Sequence, residues 1–216
     1  MRAVFLAAGY GTRLDRDLQD DESGQYSHLV GTPKPLLPVG GLPLVTHWIR
    51  AFDQVPKITS VVVVVNDLHK PRDTLLPKDF SLNTLVDKFE SLRAHDEKAC
   101  VVLSAPVAEE NVSKHGIIEV GEGDRVINFL EKPDPQDTTS RLQCPCVYLM
   151  SSGSLQHLKD FLEETRTKPL SCRDAPGLFV GVLIQRAPVF AHHVTHRYDV
   201  GGLLSYLECC RDFLQA

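Results

Sequence analysis

One stretch, Leu6-Ala7-Ala8-Gly9-Tyr10-Gly11-Thr12-Arg13-Leu14, limits the fold of this chain more than any other. It overlaps the end of Ala3-Val4-Phe5-Leu6-Ala7, an apolar run that reads as a first, buried strand. Small residues and two glycines then let the backbone bend close to a ligand. Successive amide N–H groups in such a turn can cradle phosphate oxygens, and Arg13 adds a fixed fork of donors. The dinucleotide fingerprint is absent, because Leu14 stands at its third glycine. A Walker loop is absent too, since no Gly-Lys-Ser/Thr follows. Taken alone, the loop also reads as an ordinary tight turn.

A second unusual segment is Pro33-Lys34-Pro35-Leu36-Leu37-Pro38-Val39. Its prolines disfavour a helix and predict an extended, stiff mount for one lysine. The plainer reading is a proline-rich connection carrying a solvated lysine. Between the two segments, Asp15–Thr32 is polar and acidic without clear periodicity, and predicts a flexible surface loop.

Periodicity fills in the rest. Pro43 opens a helix with Leu44, Trp48, Ile49 and Phe52 at helical spacing. Val61–Val65 is the clearest strand. Ser81 caps a helix carrying Leu82, Leu85, Val86, Phe89 and Leu92. Ala99–Leu103 predicts a strand, and Ile117–Val120 with Val126–Leu130 a hairpin turning at Gly121-Glu122-Gly123-Asp124. Val147–Met150, Leu178–Ile184 and Val189–His196 predict strands. Ser154 caps a helix with Leu155, Leu158, Phe161 and Leu162. The last helix starts near Leu203 with Leu207, Cys210 and Leu214 on one stripe. Helices alternate with strands early and hairpins dominate later. The expectation is an α/β fold with a mainly parallel (mixed) sheet flanked by helices, as a single domain over residues 1–216.

The 216 residues are 43% hydrophobic and 24% charged, a globular composition. A net charge of −5 disfavours a nucleic acid polymer as partner, yet allows a small anionic substrate held by two or three local cations. Val61–Val65 is too short to span a membrane, and the apolar N-terminus is too brief for a signal segment. A soluble, cytoplasmic protein without membrane contact is expected. The six cysteines form no CxxC pair and no zinc spacing, so they read as reduced packing thiols. His192-His193-Val194-Thr195-His196 invites a metal reading. It lacks the Glu of HExxH and sits on a strand pattern, where His192 and His196 share a face with Val194.

Together, the glycine loop and the Pro-Lys-Pro segment resemble the sugar-phosphate nucleotidylyltransferases (sugar-nucleotide pyrophosphorylases, glucose-1-phosphate thymidylyltransferase-like). That family's signature is a Leu-Ala-Gly/Ala-Gly-x-Gly-Thr-Arg-Leu loop followed by Pro-Lys-Pro-Leu-Leu-Pro-Val. The resemblance implies a nucleotide-diphospho-sugar transferase-like fold. It implies transfer of a nucleotidyl group from a nucleoside triphosphate to a sugar 1-phosphate or a similar phosphorylated small molecule, with release of pyrophosphate. Leu6, Ala7, Ala8, Gly9, Gly11, Thr12 and Arg13 would bind the nucleotide, with Arg13 and Lys34 as the catalytic cations. Glu131-Lys132-Pro133 resembles the family's Glu-Lys-Pro element, so Glu131 and Lys132 would meet the sugar phosphate. Tyr198-Asp199-Val200-Gly201 resembles its aromatic-Asp-Ile/Val-Gly element, so Asp199 would hold Mg²⁺. Asp73, ahead of Thr74-Leu75-Leu76, would supply the other metal carboxylate. Members often assemble, so a homo-oligomer is compatible with the resemblance.

The chain departs from the family in two places. Residues 15–32 lengthen the spacer after the arginine. More important, the family carries further βα structure, including a base-contacting segment, between the strand at Val61–Val65 and its Gly-Asp. Here only Asn66 to Arg72 intervene, and one βα unit takes about 30 residues. The domain therefore reads as incomplete between 66 and 73, with Asp67 as an alternative metal carboxylate at a strand end. Two other functions compete: a catalytically impaired nucleotide-phosphate-binding or regulatory subunit, and a Rossmann-type oxidoreductase, which Leu14 disfavours.

Overall fold

A computed structural model describes residues 1–6, 12–64, 74–77 and 80–214, with the side chains of Thr12 and Thr74 not described. Two compact units are present, Met1–Leu82 with Arg197–Ala216, and Asn83–His196.

In the first unit, β1 (Arg2–Leu6) pairs in parallel with β4 (Ser60–Val64), from Arg2 opposite Ser60 to Leu6 opposite Val64. Between them lie α1 (Thr12–Gln19), the hairpin of β2 (Pro38–Val39) and β3 (Leu42–Pro43), and α2 (Leu44–Asp53). The hairpin turns at Gly40 and Gly41, both at positive φ, where a side chain would be strained. β5 (Thr74–Leu75) pairs antiparallel with β12 (Tyr198–Asp199), which leads into α6 (Leu203–Leu214).

Four expectations for this unit change. The first strand is not buried: β1 alternates exposed and half-buried residues, and all of β4 is exposed. Residues 15–32 are not one loop, because Leu14 and Leu18, four apart and both buried, give α1 an apolar stripe. The Pro-Lys-Pro segment is not extended throughout, since Lys34–Leu36 forms a 3₁₀ turn in which Leu37 N–H donates to Lys34 O. Proline at the second position of so short a turn leaves no backbone bond broken. The inner stripe of α6 carries Tyr206 and Cys209, rotated from the expected one, while Leu214 is exposed.

The second unit is built on β6 (Cys100–Pro106), whose first six residues are all buried. Such a strand reads as a continuous apolar run, as its sequence does. It pairs in parallel with β11 (Val189–His193) and antiparallel with β10 (Tyr148–Leu149) and β9 (Leu142–Gln143). The expected hairpin of β7 (Gly116–Val120) and β8 (Val126–Glu131) extends this mixed sheet through β9. The unit's helices are α3 (Leu82–His95), α4 (Leu155–Glu164) and α5 (Pro176–Leu183). α3 buries Leu82, Leu85, Val86 and Phe89, the spacing read from sequence.

α5 corrects the strand predicted over residues 178–184. A short apolar run has no period to tell strand from helix, and here Pro176 in the first turn decides. Phe179, Val180 and Leu183 of α5 pack with Phe161, Val102 and Ile118 in the core. β11 ends at His193, so the face expected to join His192 to His196 does not form. Among the described residues, no helix is long and apolar enough to cross a membrane.

Candidate active site

In the first unit, the residue ending the glycine loop meets the aspartate of the Tyr-Asp-Val-Gly element. Arg13, at the start of α1, places Nη2 3.4 Å from Asp199 Oδ2, with the side chains 51% and 32% exposed. Asp199 pairs across β12–β5 with Thr74, the residue after Asp73 in sequence. Gly201 makes this approach possible: a Cβ there would lie 2.6 Å from Asp199 Oδ1 and closer still to the Arg13 guanidinium. Leu6 ends β1, its side chain exposed. Thr12 opens α1. Ala7, Ala8, Gly9, Gly11, Asp67 and Asp73 lie outside the described residues.

Lys34 is not the solvated lysine of the plainer reading, for it is only 3% exposed. Its segment is tied down from several sides. Tyr206 O–H donates to Pro38 O at 2.7 Å, and His47 Nε2 donates to Val39 O at 2.9 Å. Phe213 lies against Gly40 and sets its ring edge-on to His47.

The second unit holds the Glu-Lys-Pro element at the end of β8. The Glu131 carboxylate sits against two glycines. A Cβ on Gly116 would be 3.3 Å from its Oε2, and one on Gly177 2.6 Å. Lys132 Nζ lies 4.0 Å from Glu131 Oε1. Lys132 adopts φ +50°, a left-handed conformation unusual for a lysine, just ahead of Pro133. Burial pushes the neighbouring Tyr148 hydroxyl and Cys144 thiol well up, and the Glu131 charge adds to both. Both stay neutral.

Sequence reasoning missed two polar arrangements. Asp17, one turn after Arg13, accepts a hydrogen bond from Leu203 N–H at 3.0 Å. The Leu14/Leu18 spacing would have revealed its helix. In the second unit, Ser104 Oγ lies 2.6 Å from His193 Nδ1, and His193 Nε2 lies 3.3 Å from Asp124 Oδ1. Lys88 Nζ donates to Asp124 Oδ2 and Ala191 O, each at 2.6 Å. An ionised Asp124 can only accept, so Nε2 donates and a neutral ring's Nδ1 accepts from Ser104. Ser104 has no solvent exposure, so this trio is an internal tether and not a nucleophile. No local pattern places these four residues together, since their contacts span up to 103 positions.

A family model described as nucleotidyl transferase matches residues 73–216. The chain belongs to this family. A second model, the MobA-like NTP transferase domain, matches residues 3–109. The chain is 28% identical over 156 residues to a UTP–glucose-1-phosphate uridylyltransferase of Haemophilus ducreyi, covering 68% of this chain and 49% of the relative. It is 25% identical over 194 residues to the bifunctional protein GlmU of Methanococcus maripaludis, covering 77% and 44%. The chain thus spans about half or less of the length of these curated relatives.

Solved structures share the nucleotidyltransferase's fold. UDP-glucose pyrophosphorylase complexed with UDP-glucose superposes with a TM-score of 0.68 at 17% identity, over 99% of this chain and 98% of that one. The UTP-bound enzyme of Acinetobacter baumannii gives 0.61 at 16% identity, over 98% and 92%. The expected α/β class with a mixed sheet holds. Neither the impaired-subunit nor the oxidoreductase alternative finds support among these matches.

Proposed function

We propose that this nucleotidyl transferase family member moves a nucleotidyl group from a nucleoside triphosphate to a sugar 1-phosphate and releases pyrophosphate. The pairing of Arg13 with Asp199 carries the reading. It brings the arginine of the phosphate-loop motif against the carboxylate of the metal motif, 186 positions away. Relatives named as uridylyltransferases act on UTP and glucose 1-phosphate, which supports this substrate class.

An oxygen of the sugar 1-phosphate attacks the α-phosphorus, the bond to the bridging oxygen breaks, and pyrophosphate leaves. The attacking group is already ionised near pH 7, so no general base is needed. Both reactants are anions, and the residues must offset that repulsion and hold the groups in line. Arg13 supplies a forked donor set. Lys34 supplies a point charge in a buried place, where its field is least screened. Leu6, Ala7, Ala8, Gly9, Gly11 and Thr12 would bind the triphosphate, and Glu131 and Lys132 would orient the sugar phosphate. Asp199 and Asp73 are hard oxygen donors that suit Mg²⁺, whose preference is one or two carboxylates plus substrate phosphates. When bound, Mg²⁺ would supply further positive charge on the phosphates. The chain is read as a single nucleotidyltransferase-like domain of a cytoplasmic protein; the family match over residues 73–216 supports the domain reading alone.

Pyrophosphate release from a panel of nucleoside triphosphates and sugar 1-phosphates tests the proposal. Turnover that needs Mg²⁺ and drops about 100-fold or more in Arg13→Ala is expected. A folded chain that releases no pyrophosphate from any pair refutes it.

A further inference from the structure

We propose that Asp17 is the positioning residue for Arg13 and Asp199, acting through the N-terminus of α6; this rests on the nucleotidyl-transfer reading above. Arg13 and Asp17 stand four apart on α1 and so share a face. Each grips the same short stretch of chain. Arg13 Nη2 reaches Asp199 Oδ2 at 3.4 Å, and Asp17 Oδ2 takes the Leu203 N–H at 3.0 Å. Leu203 opens α6, and its N–H has no partner inside that helix. A carboxylate at this end also meets the positive pole of the helix.

The backbone under α1 is shaped for the contact. Gly201 faces the Arg13 guanidinium, and a Cβ on Gly202 would lie 2.9 Å from Asp17 Oδ2. A side chain at either glycine would lift α1 away. Asp17 also faces Arg16, with Nη2 3.7 Å from Oδ1. Ser205 Oγ faces the Gly202 N–H at 3.4 Å and donates to Gly202 O at 3.1 Å. The first turn of α6 therefore draws on both a local serine and a carboxylate from another helix.

The Arg13–Asp199 pair is half exposed and long, and such pairs hold little on their own. The Asp17 cap is what keeps α1 at the distance where a triphosphate-binding cation and a metal-binding carboxylate face one another. Loss of the cap separates the two groups before any ligand arrives.

The test uses the full chain with Asp17→Ala and Asp17→Asn, whose amide oxygen can still accept from Leu203 N–H. Hydrogen exchange without ligand is expected to show α1 and first-turn α6 amides opening about tenfold faster in the alanine variant, with the asparagine variant near wild type. The KM for the triphosphate and the Mg²⁺ concentration for half-maximal rate should rise about tenfold in Asp17→Ala, and asparagine should restore most of each. Unchanged α1 exchange in Asp17→Ala overturns the proposal whatever the turnover. So does altered exchange with unchanged KM and Mg²⁺ dependence, which marks a cap of structural value only. If wild type releases no pyrophosphate while the exchange pattern appears as expected, the transferase reading fails and the tether stands.

Discussion

Gly177→Ala offers a test of the Glu131 corner in which helix propensity and packing pull in opposite directions. Gly177 lies in the first turn of α5 and is buried. By propensity alone, alanine should stabilise a helix interior by about 1 kcal/mol. The added Cβ, however, would stand 2.6 Å from Glu131 Oε2 and 2.9 Å from Phe129 Cε1, with Cζ nearer still. Ordinary contact begins at 3.4 Å, so the carboxylate must retreat by about 0.8 Å, the difference 3.4 − 2.6. Phe129 cannot yield freely, because it packs against the buried core of this unit. Overpacking of this kind costs about 1–3 kcal/mol, so a net loss of roughly 0–2 kcal/mol is expected in urea melts. A displacement near 1 Å in a group that orients substrate can lower the rate about 100-fold. The kinetic signature is a rise in KM for the sugar phosphate, with the triphosphate KM unchanged, because the displaced carboxylate is the one proposed to orient the sugar phosphate. A variant about 1 kcal/mol more stable, with both KM values at wild-type level, refutes the packing argument and the role given to Glu131.

Two further predictions concern titrating side chains. Cys146 is exposed, whereas Cys144 and Cys209 are buried and desolvation pushes both thiols up, that of Cys209 to about 12. Limited alkylation at pH 7.5 read by peptide mapping should therefore label Cys146 first, and early labelling of Cys144 would contradict the packing around Glu131. For acid stability, burial first, then the charges of Lys88 and His193, hold His192 below its ordinary 6.5. The unfolded chain takes up a proton there that the folded one refuses, so stability falls as pH drops below about 6.5. His192→Gln should flatten that slope in urea melts between pH 7 and 5. It should leave a second loss that begins below about 3.8, where the unfolded chain takes up a proton at Asp124 that the folded one, its carboxyl lowered chiefly by the hydrogen bond from Lys88, still refuses. A wild-type profile flat from pH 7 to 5 contradicts this account.

The parts legible in the sequence were those with a period or a punctuating residue. The α3 stripe at Leu82, Leu85, Val86 and Phe89 and the turn at Gly121–Asp124 each carry their own local signal. α5 carries no such signal in Leu178 to Ile184, which is apolar throughout and shows neither period, and only Pro176 points to a helix. The α6 stripe lies one residue before the expected Leu207 and Cys210, on Tyr206 and Cys209. Yet Tyr206 is buried by what its hydroxyl reaches, Pro38 O, which no helical pattern encodes. The site divides in the same way. Arg13, Glu131 and Asp199 stand in recognisable strings. Asp17 and the Ser104–His193–Asp124–Lys88 tether depend on contacts between distant segments, which composition and spacing do not reveal.

The exposed faces of β1 and β4 bear on what the shortened connection does. A parallel pair is normally covered on both sides, since its crossover helices lie on the sheet faces. Here Val4 is 57% and Val63 50% exposed, and every residue of β4 faces solvent to a similar degree. Only Asn66 to Arg72 separate the strand predicted at Val61–Val65 from Asp73, far less than the roughly 30 residues of a βα unit. The family match that covers the C-terminal part begins at that same Asp73. The exposed valines of β4 and the brevity of the connection are both what the expected incompleteness between 66 and 73 would produce. In the family this chain resembles, the βα structure there includes the base-contacting segment. The Arg13–Asp199 pair and the Asp17 cap are held by contacts of α1, β12 and the start of α6, and the Glu131 corner lies against Gly116 and Gly177.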